Sequence, residues 1–214
     1  MLKKLIKPVT HSINHPLIET DTVTEDGFEL SEKATQLNLD CLVFDTVSAM
    51  GFQERGQIKL KRHIDTLDLR GWGEYGDNIN NFIYNICSLP VKTIFNVHID
   101  RDKDINSEVI EVPALKGSAK NEILKWFDVI LFTRINTDAK TKQTEFYWQT
   151  KPEEGRYAKD RLGVLPAIIP QDFQLIIDEY SKAGIEYPNI LVLGDSGTGK
   201  SRGLITINDL PPKK

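Results

Sequence analysis

The chain has only two cysteines, Cys41 and Cys87, each inside or beside an apolar run and neither with partners at metal-ligand spacing. That excludes a disulfide scaffold and a zinc centre, and reads as two reduced, buried thiols in a cytosolic protein. No apolar run approaches the length of a membrane span. The basic opening, MLKKLIKPVTHS, has neither a long apolar core nor a small-residue cleavage site, so a soluble intracellular protein without membrane contact is expected. An excess of one charge is missing too. A net charge of −4 gives no global pull toward nucleic acid or a lipid surface, and any polyanion contact has to come from a local patch. Internal repeats and low-complexity tracts are also absent, which excludes a repeat array.

What is present is a chain of 214 residues, 40% of them hydrophobic, enough for one good core. Residues 1–26 are polar, aperiodic and broken by Pro8 and Pro16, an irregular N-terminal arm before a single domain over 27–214. Leu30, Ala34 and Leu37 share a helical face. CLVFDTVSAM then reads as a buried parallel strand whose Asp45 emerges at its carboxyl end. Gly51–Gly76, rich in glycine, cations and aromatics but without a period, is expected to be a long loop or lid. Ile79, Phe82, Ile83 and Ile86 restore helical spacing before the strand VKTIFNVHID, which makes a parallel strand–helix–strand unit.

Arg101–Gly117 is a second irregular stretch, after which Ser118 and Glu122 suit a helix start. The strand DVILFTRI, a polar hairpin and TEFYWQT follow, then GRYAKDRLG as a loop. Ile168–Tyr180 reads as a proline-started helix with Asp172 near its positive end. NILVLG is the last strand, with a short helix from Lys200 to Asn208 after it.

Between those last two elements, Gly194–Ser201 fits G-x-x-x-x-G-K-[ST] in full, after a strand and before a helix. The cradle is Gly194, Asp195, Ser196, Gly197, Thr198, Gly199, Lys200 and Ser201, with Arg202 following. Its glycines let the backbone amides turn inward around a β-phosphate, and the helix amino end adds partial positive charge. Lys200 would reach the β and γ phosphates of ATP, and Ser201 would ligate Mg²⁺. That ion wants a carboxylate, direct or through a water, at the end of an adjacent buried strand, and Asp45 is the best candidate. Without the phosphate loop, Asp45 would simply cap a turn.

Such loops normally open a domain, yet this one comes near the end of the given sequence. Strands need only be neighbours in space, so a sheet can be circularly permuted, with DEYSKAGIEYPN as the join. The expected fold is α/β, a P-loop NTPase with a mostly parallel central sheet flanked by helices.

Read cyclically from Tyr187, the chain resembles the phage-encoded RecA/RadA-like ATPases of the AAA type, which act in single-strand annealing and recombination. The carriers are YPNILVLGDSGTGKS, NLDCLVFDTVSAM, WGEYGDNI, TIFNVHID, PALKGSAKNEILKWFDVILFTR and YWQTKPEEGRYAKDRLGVLPAIIPQDF. The resemblance implies a RecA-like core with Asp45 as the Walker B aspartate. It implies that His98 senses the γ-phosphate or the attacking water, against the plainer reading of a strand-end histidine satisfied by backbone. Thr46 and Ser48 are either water- or metal-orienting hydroxyls or turn residues.

AKDRLG resembles the Lys-x-Arg motif that these proteins present to a neighbouring subunit's nucleotide, which makes Lys159 and Arg161 a trans-acting pair in a homo-oligomer; the plainer reading is a solvated strand end. The resemblance also places two loops for single-stranded DNA, one at Gly51–Gly76, through Arg55, Lys59, Lys61, Arg62, Arg70 and Trp72, and one at Arg101–Gly117, which is mixed in charge, with a nucleotide lid as the alternative for both. A phage annealing or single-strand-binding protein is the further partner it implies.

One departure stands out. The strand that ends in a water-polarising acid in RecA-like proteins has no apolar counterpart in the cyclic interval between the phosphate loop and Asp45. Glu19, Asp21, Glu25 and Glu74 are the candidate substitute bases, with plain exposed carboxylates as the alternative reading of each. A non-hydrolysing, nucleotide-dependent module that loads a partner recombinase is therefore the alternative to an ATPase. A small-molecule kinase is disfavoured, because no acceptor-binding domain is visible.

Overall fold

The computed structural model describes residues 41–140, 142–153 and 155–209. The N-terminal arm, the Leu30–Leu37 helix and the candidate bases Glu19, Asp21 and Glu25 lie outside them. In chain order the elements are β1 (Cys41–Asp45), α1 (Val47–Arg62), α2 (Leu69–Cys87), β2 (Lys92–Lys103), β3 (Val109–Pro113) and α3 (Ala119–Glu122) with a 3₁₀ turn after it (Ile123–Trp126). Then come β4 (Val129–Thr137), β5 (Thr144–Gln149), β6 (Lys159–Asp160), β7 (Ile168–Pro170), α4 (Phe173–Lys182), β8 (Asn189–Gly194) and a final 3₁₀ helix (Arg202–Asp209).

The sheet runs β1-β2-β8-β4-β5-β7, with β3 on β2 and β6 on β4. β1, β2, β8 and β4 are mutually parallel, and β3, β5, β6 and β7 add antiparallel pairs. β8 is thus central: Ile190, Leu191, Val192 and Leu193 are fully buried, as an all-apolar strand covered on both faces must be. Alternation along the strands sorts the core. Leu42, Phe44, Phe95, Val97, Leu191 and Leu193 meet α1 and α2 on one face. Val43, Ile94, Ile190 and Val192 meet α4 and the final 3₁₀ helix on the other. Asp45, Asn96, His98 and Gly194 are in step with that second set, so all four share one face near the carboxyl ends of the parallel strands.

Two expectations fail, both for a physical reason. Gly51–Gly76 is not a loop but most of α1 and the start of α2. Its glycines permit helix contact: a Cβ on Gly51 would stand 2.7 Å from Leu115 Cδ2 and 2.8 Å from the Tyr75 hydroxyl. Arg101–Gly117 is the β2–β3 hairpin, tied to α3 and the loop before it by Asp100–Lys116 and Asp102–Lys120 ion pairs. Three smaller corrections concern helices. Ile168–Pro170 is a strand, and Asp172 is the N-cap of α4, accepting from Gln174 N at 2.8 Å. Ser118 makes no side-chain cap bond, and the segment after Lys200 is 3₁₀ rather than α.

Candidate functional site

The strand β8 ends at Gly194, and the chain turns through residues 195–201 with Gly197 and Gly199 at φ of 77° and 83°, backbone that side chains resist. Gly194 is required for a different reason. A Cβ there would lie 1.6 Å from Thr133 Oγ1 and 2.6 Å from Thr198 Oγ1, so no larger residue fits between β4 and the turn. Those hydroxyls hold the turn: Thr133 donates to Leu193 O at 2.9 Å and meets Thr198 Oγ1 at 2.7 Å, while Thr198 also bonds Asp195 O at 2.8 Å.

Lys200 folds back into this turn. Its ammonium donates to Gly194 O at 2.9 Å and Asp195 O at 2.7 Å, and it faces His98 Nδ1 at 3.2 Å. Burial lowers the Lys200 pKa from its ordinary value, opposed by Asp45 and Asp195. Burial and Lys200 together also lower that of His98, with the same two carboxylates opposing. An ammonium only donates, so Nδ1 accepts and His98 is neutral with its proton on Nε2. The γ-phosphate-sensing and backbone-satisfied readings of His98 both missed this contact with the lysine.

Ser201 Oγ donates to Asp45 Oδ2 at 2.5 Å, although the two residues are 156 positions apart. β2 lies between the strands that carry them, so Asp45 reaches the loop from one strand further than adjacency would give. A hydroxyl and a carboxylate in contact are hard oxygen donors that suit Mg²⁺. Asn96 is beside them: it is the cross-strand partner of Asp45, fully buried, and neither amide atom has a hydrogen-bond partner. Such a group is stable when a ligand, an ion's hydration shell or a water meets it. The residues present therefore fit a magnesium-bound phosphate. When bound, that ion would supply charge neutralisation between phosphate oxygens.

The neighbouring hydroxyls have local duties. Thr46 caps α1, accepting from Ala49 N at 3.3 Å, and the peptide joining it to Asp45 is cis. Ser48 Oγ accepts from His98 N at 3.0 Å and so fixes the strand that carries the histidine.

A family model described as an AAA domain matches residues 6–162, more than half of the chain. The chain belongs to that AAA domain family. No curated protein and no solved structure matches it. The family is one of nucleotide-binding P-loop ATPases, and the α/β sheet flanked by helices agrees with it. The match contains Asp45, His98, Lys159 and Arg161, whereas Gly194–Ser201 lies beyond it and is placed by geometry alone. No helix among the described residues is long and apolar enough to cross a membrane.

Other residues of this AAA domain lie apart from the loop. Lys159 lies in β6 and Arg161 directly follows it, and that strand pairs with the start of β4 at the opposite end of the parallel strands. Lys159 Nζ donates to Phe127 O at 2.7 Å and Arg161 to Asp128 at 2.9 Å, so within one chain neither approaches Lys200. The six candidate DNA residues sit on α1 and α2. Lys61 pairs with Glu74 and Arg62 with Asp68. Arg55, Lys59 and Trp72 line a groove of about 190 Å³ between the helices, and Arg70 is exposed nearby. Sequence reasoning missed Phe52, 70% exposed on the same groove with Arg55 over its ring, and Asn96, whose signal was a polar residue inside the apolar run TIFNVHID.

Proposed function

We propose that the chain binds Mg-ATP at Gly194–Ser201 and hydrolyses it, coupling that cycle to single-stranded DNA in the manner of the RecA/RadA-like recombination ATPases of phages. The carrying observation is the Ser201–Asp45 contact at 2.5 Å, with Lys200 and His98 beside it. These residues come from the ends of three strands, and a coincidental glycine turn gives no reason for a hydroxyl, a carboxylate, a lysine and a neutral imidazole to converge. Lys200 binds phosphate oxygens, Ser201 and Asp45 hold the ion, and neutral His98 places its Nε2 proton for a γ-oxygen or orients the attacking water.

The DNA half of the reading is supported by the α1–α2 groove. Phe52 and Trp72 offer stacking faces, and Arg55 and Lys59 offer charge for a phosphate backbone. Lys159 and Arg161 act, on this reading, in the site of a neighbouring copy, and the Arg161 side chain is 65% exposed while it pairs with Asp128.

Phosphate release from ATP, with and without single-stranded DNA, tests the proposal. The wild type turns over ATP, DNA stimulates it, and Lys200→Ala loses roughly a hundredfold or more. Equal rates in wild type and Lys200→Ala refute the site. The non-hydrolysing alternative has its own support. Among the described residues β1 is the outer strand, and the carboxylates whose charge reaches His98 and Lys200 are Asp45 and Asp195. Tight ATP binding with no phosphate release under any DNA condition would select it.

A further inference from the structure

With Lys200, Ser201, Asp45 and His98 gathered on the β1–β2 side of the loop, the γ end of a bound triphosphate is fixed there. The nucleoside end then leaves on the other side, over β4 and β5. That side is built. The chain following Ser201 is pressed onto β5, where a Cβ on Gly203 would lie 2.6 Å from Trp148 Cζ2. Phe146 of β5 lies against the loop itself: a Cβ on Gly199 would stand 2.9 Å from Phe146 Cδ1 and 3.0 Å from Gln171 Oε1. Arg202 lays its guanidinium over the Phe146 ring, 4.9 Å from the centroid.

Gln171 is the telling residue. Its Nε2 donates to Thr198 O at 3.4 Å, whereas its Oε1 is buried and has no partner. The amide cannot be turned round to relieve this, because the oxygen would then face the Thr198 carbonyl, acceptor against acceptor. What packs beside the phosphate cradle is thus a flat cation–aromatic stack and one unmet acceptor, buried against Gly199.

We propose that Gln171, Phe146 and Arg202 form the nucleobase subsite and that it selects adenine. A purine ring stacks on the exposed face of the Arg202 guanidinium, and the exocyclic 6-amino group donates to Gln171 Oε1. A 6-oxo purine puts a carbonyl against that oxygen instead, with no donor between them. This rests on the phosphate-loop reading, but the two can fail separately.

The test is equilibrium binding of Mg-ATP, Mg-ITP and Mg-tripolyphosphate to the full chain, with tripolyphosphate as the base-free reference. The wild type prefers ATP over ITP by about tenfold or more. Gln171→Leu brings that ratio close to one. Phe146→Ala narrows the gap between either nucleotide and tripolyphosphate. A wild type with no preference, or with a preference for ITP, overturns the subsite even if Gln171→Leu fails to fold, and so does an unchanged ratio in folded Gln171→Leu. Lys200-dependent tripolyphosphate binding without base preference refutes the subsite and leaves the phosphate loop standing. No binding of any of the three ligands refutes both.

Discussion

Replacing Gly194 by alanine tests the packing that shapes the phosphate loop. The new methyl would start 1.6 Å from Thr133 Oγ1 and 2.6 Å from Thr198 Oγ1, far inside contact distance. Thr133 is buried at 2% exposure, so its hydroxyl has to rotate within a packed site. Rotation breaks the 2.9 Å bond to Leu193 O and the 2.7 Å contact with Thr198. Two such bonds are worth about 1 kcal/mol each, and overpacking adds about 1–3 kcal/mol, so the cost is about 3–5 kcal/mol. In a domain of this size that lowers Tm by roughly 10 °C. Urea and thermal unfolding give the number, and a double-mutant cycle gives the cause. In a Thr133→Ala background the offending oxygen is gone, leaving Thr133 Cβ at 3.0 Å, and Gly194→Ala becomes about 1–2 kcal/mol cheaper. Additive costs, or a Gly194→Ala penalty under about 0.5 kcal/mol, would refute the steric account.

Three further outcomes follow from buried groups. Burial pushes the Asp160 carboxyl up, but the Leu165 amide, the Tyr180 hydroxyl and Lys151 outweigh it and hold its pKa below the ordinary value; Asp160→Ala strands those partners and costs about 3 kcal/mol in urea unfolding. The His98 pKa lies below its ordinary 6.5, so the unfolded chain binds more protons in that window: stability is full above pH 6.5, falls as pH drops below it, and levels off beneath the folded value. His98→Asn removes that component from a pH series of urea midpoints. Burial raises the Cys87 thiol to about 12, so a thiol reagent at pH 8 labels it only as the chain unfolds, as mass spectrometry of the modified peptide would show.

The parts of the fold legible in the sequence are those set by local pattern. β1 with Asp45 at its end, β2, β4 and β8 announce themselves as apolar runs, and their burial bears that out. The phosphate loop was legible because its glycines are demanded by backbone conformation and close approach at Gly194, Gly197 and Gly199. Gly51 and Gly71 look alike on paper but answer a different demand, the contacts α1 makes with Tyr75 and Leu115 and α2 with Leu67 and Arg62. A glycine says that something comes near; only the fold says whether that is a phosphate or a helix. The same limit hid Lys200–His98, Phe146–Gly199 and Gln171, which are contacts between elements far apart in sequence.

The position of β8 ties site and core into one structure. β2 and β4 do not pair with each other; each pairs with β8, so the parallel sheet is continuous only once that strand is in place. The same strand ends at Gly194, and its placement brings Lys200 to His98 and Ser201 to Asp45. Loosening β8 should therefore weaken ligand binding from a distance, and ligand binding should tighten the sheet. Val192→Ala, at a fully buried position beside Asn96 and Leu131, costs about 2–3 kcal/mol and lowers Mg-ATP affinity without touching the loop. Mg-ATP at a hundred times Kd returns about 2.7 kcal/mol to the wild type through linkage, and Lys200→Ala forfeits that return. If Val192→Ala lowers the urea midpoint while its affinity for Mg-ATP stays that of the wild type, the loop is held by its own turn bonds, and the coupling through β8 is wrong.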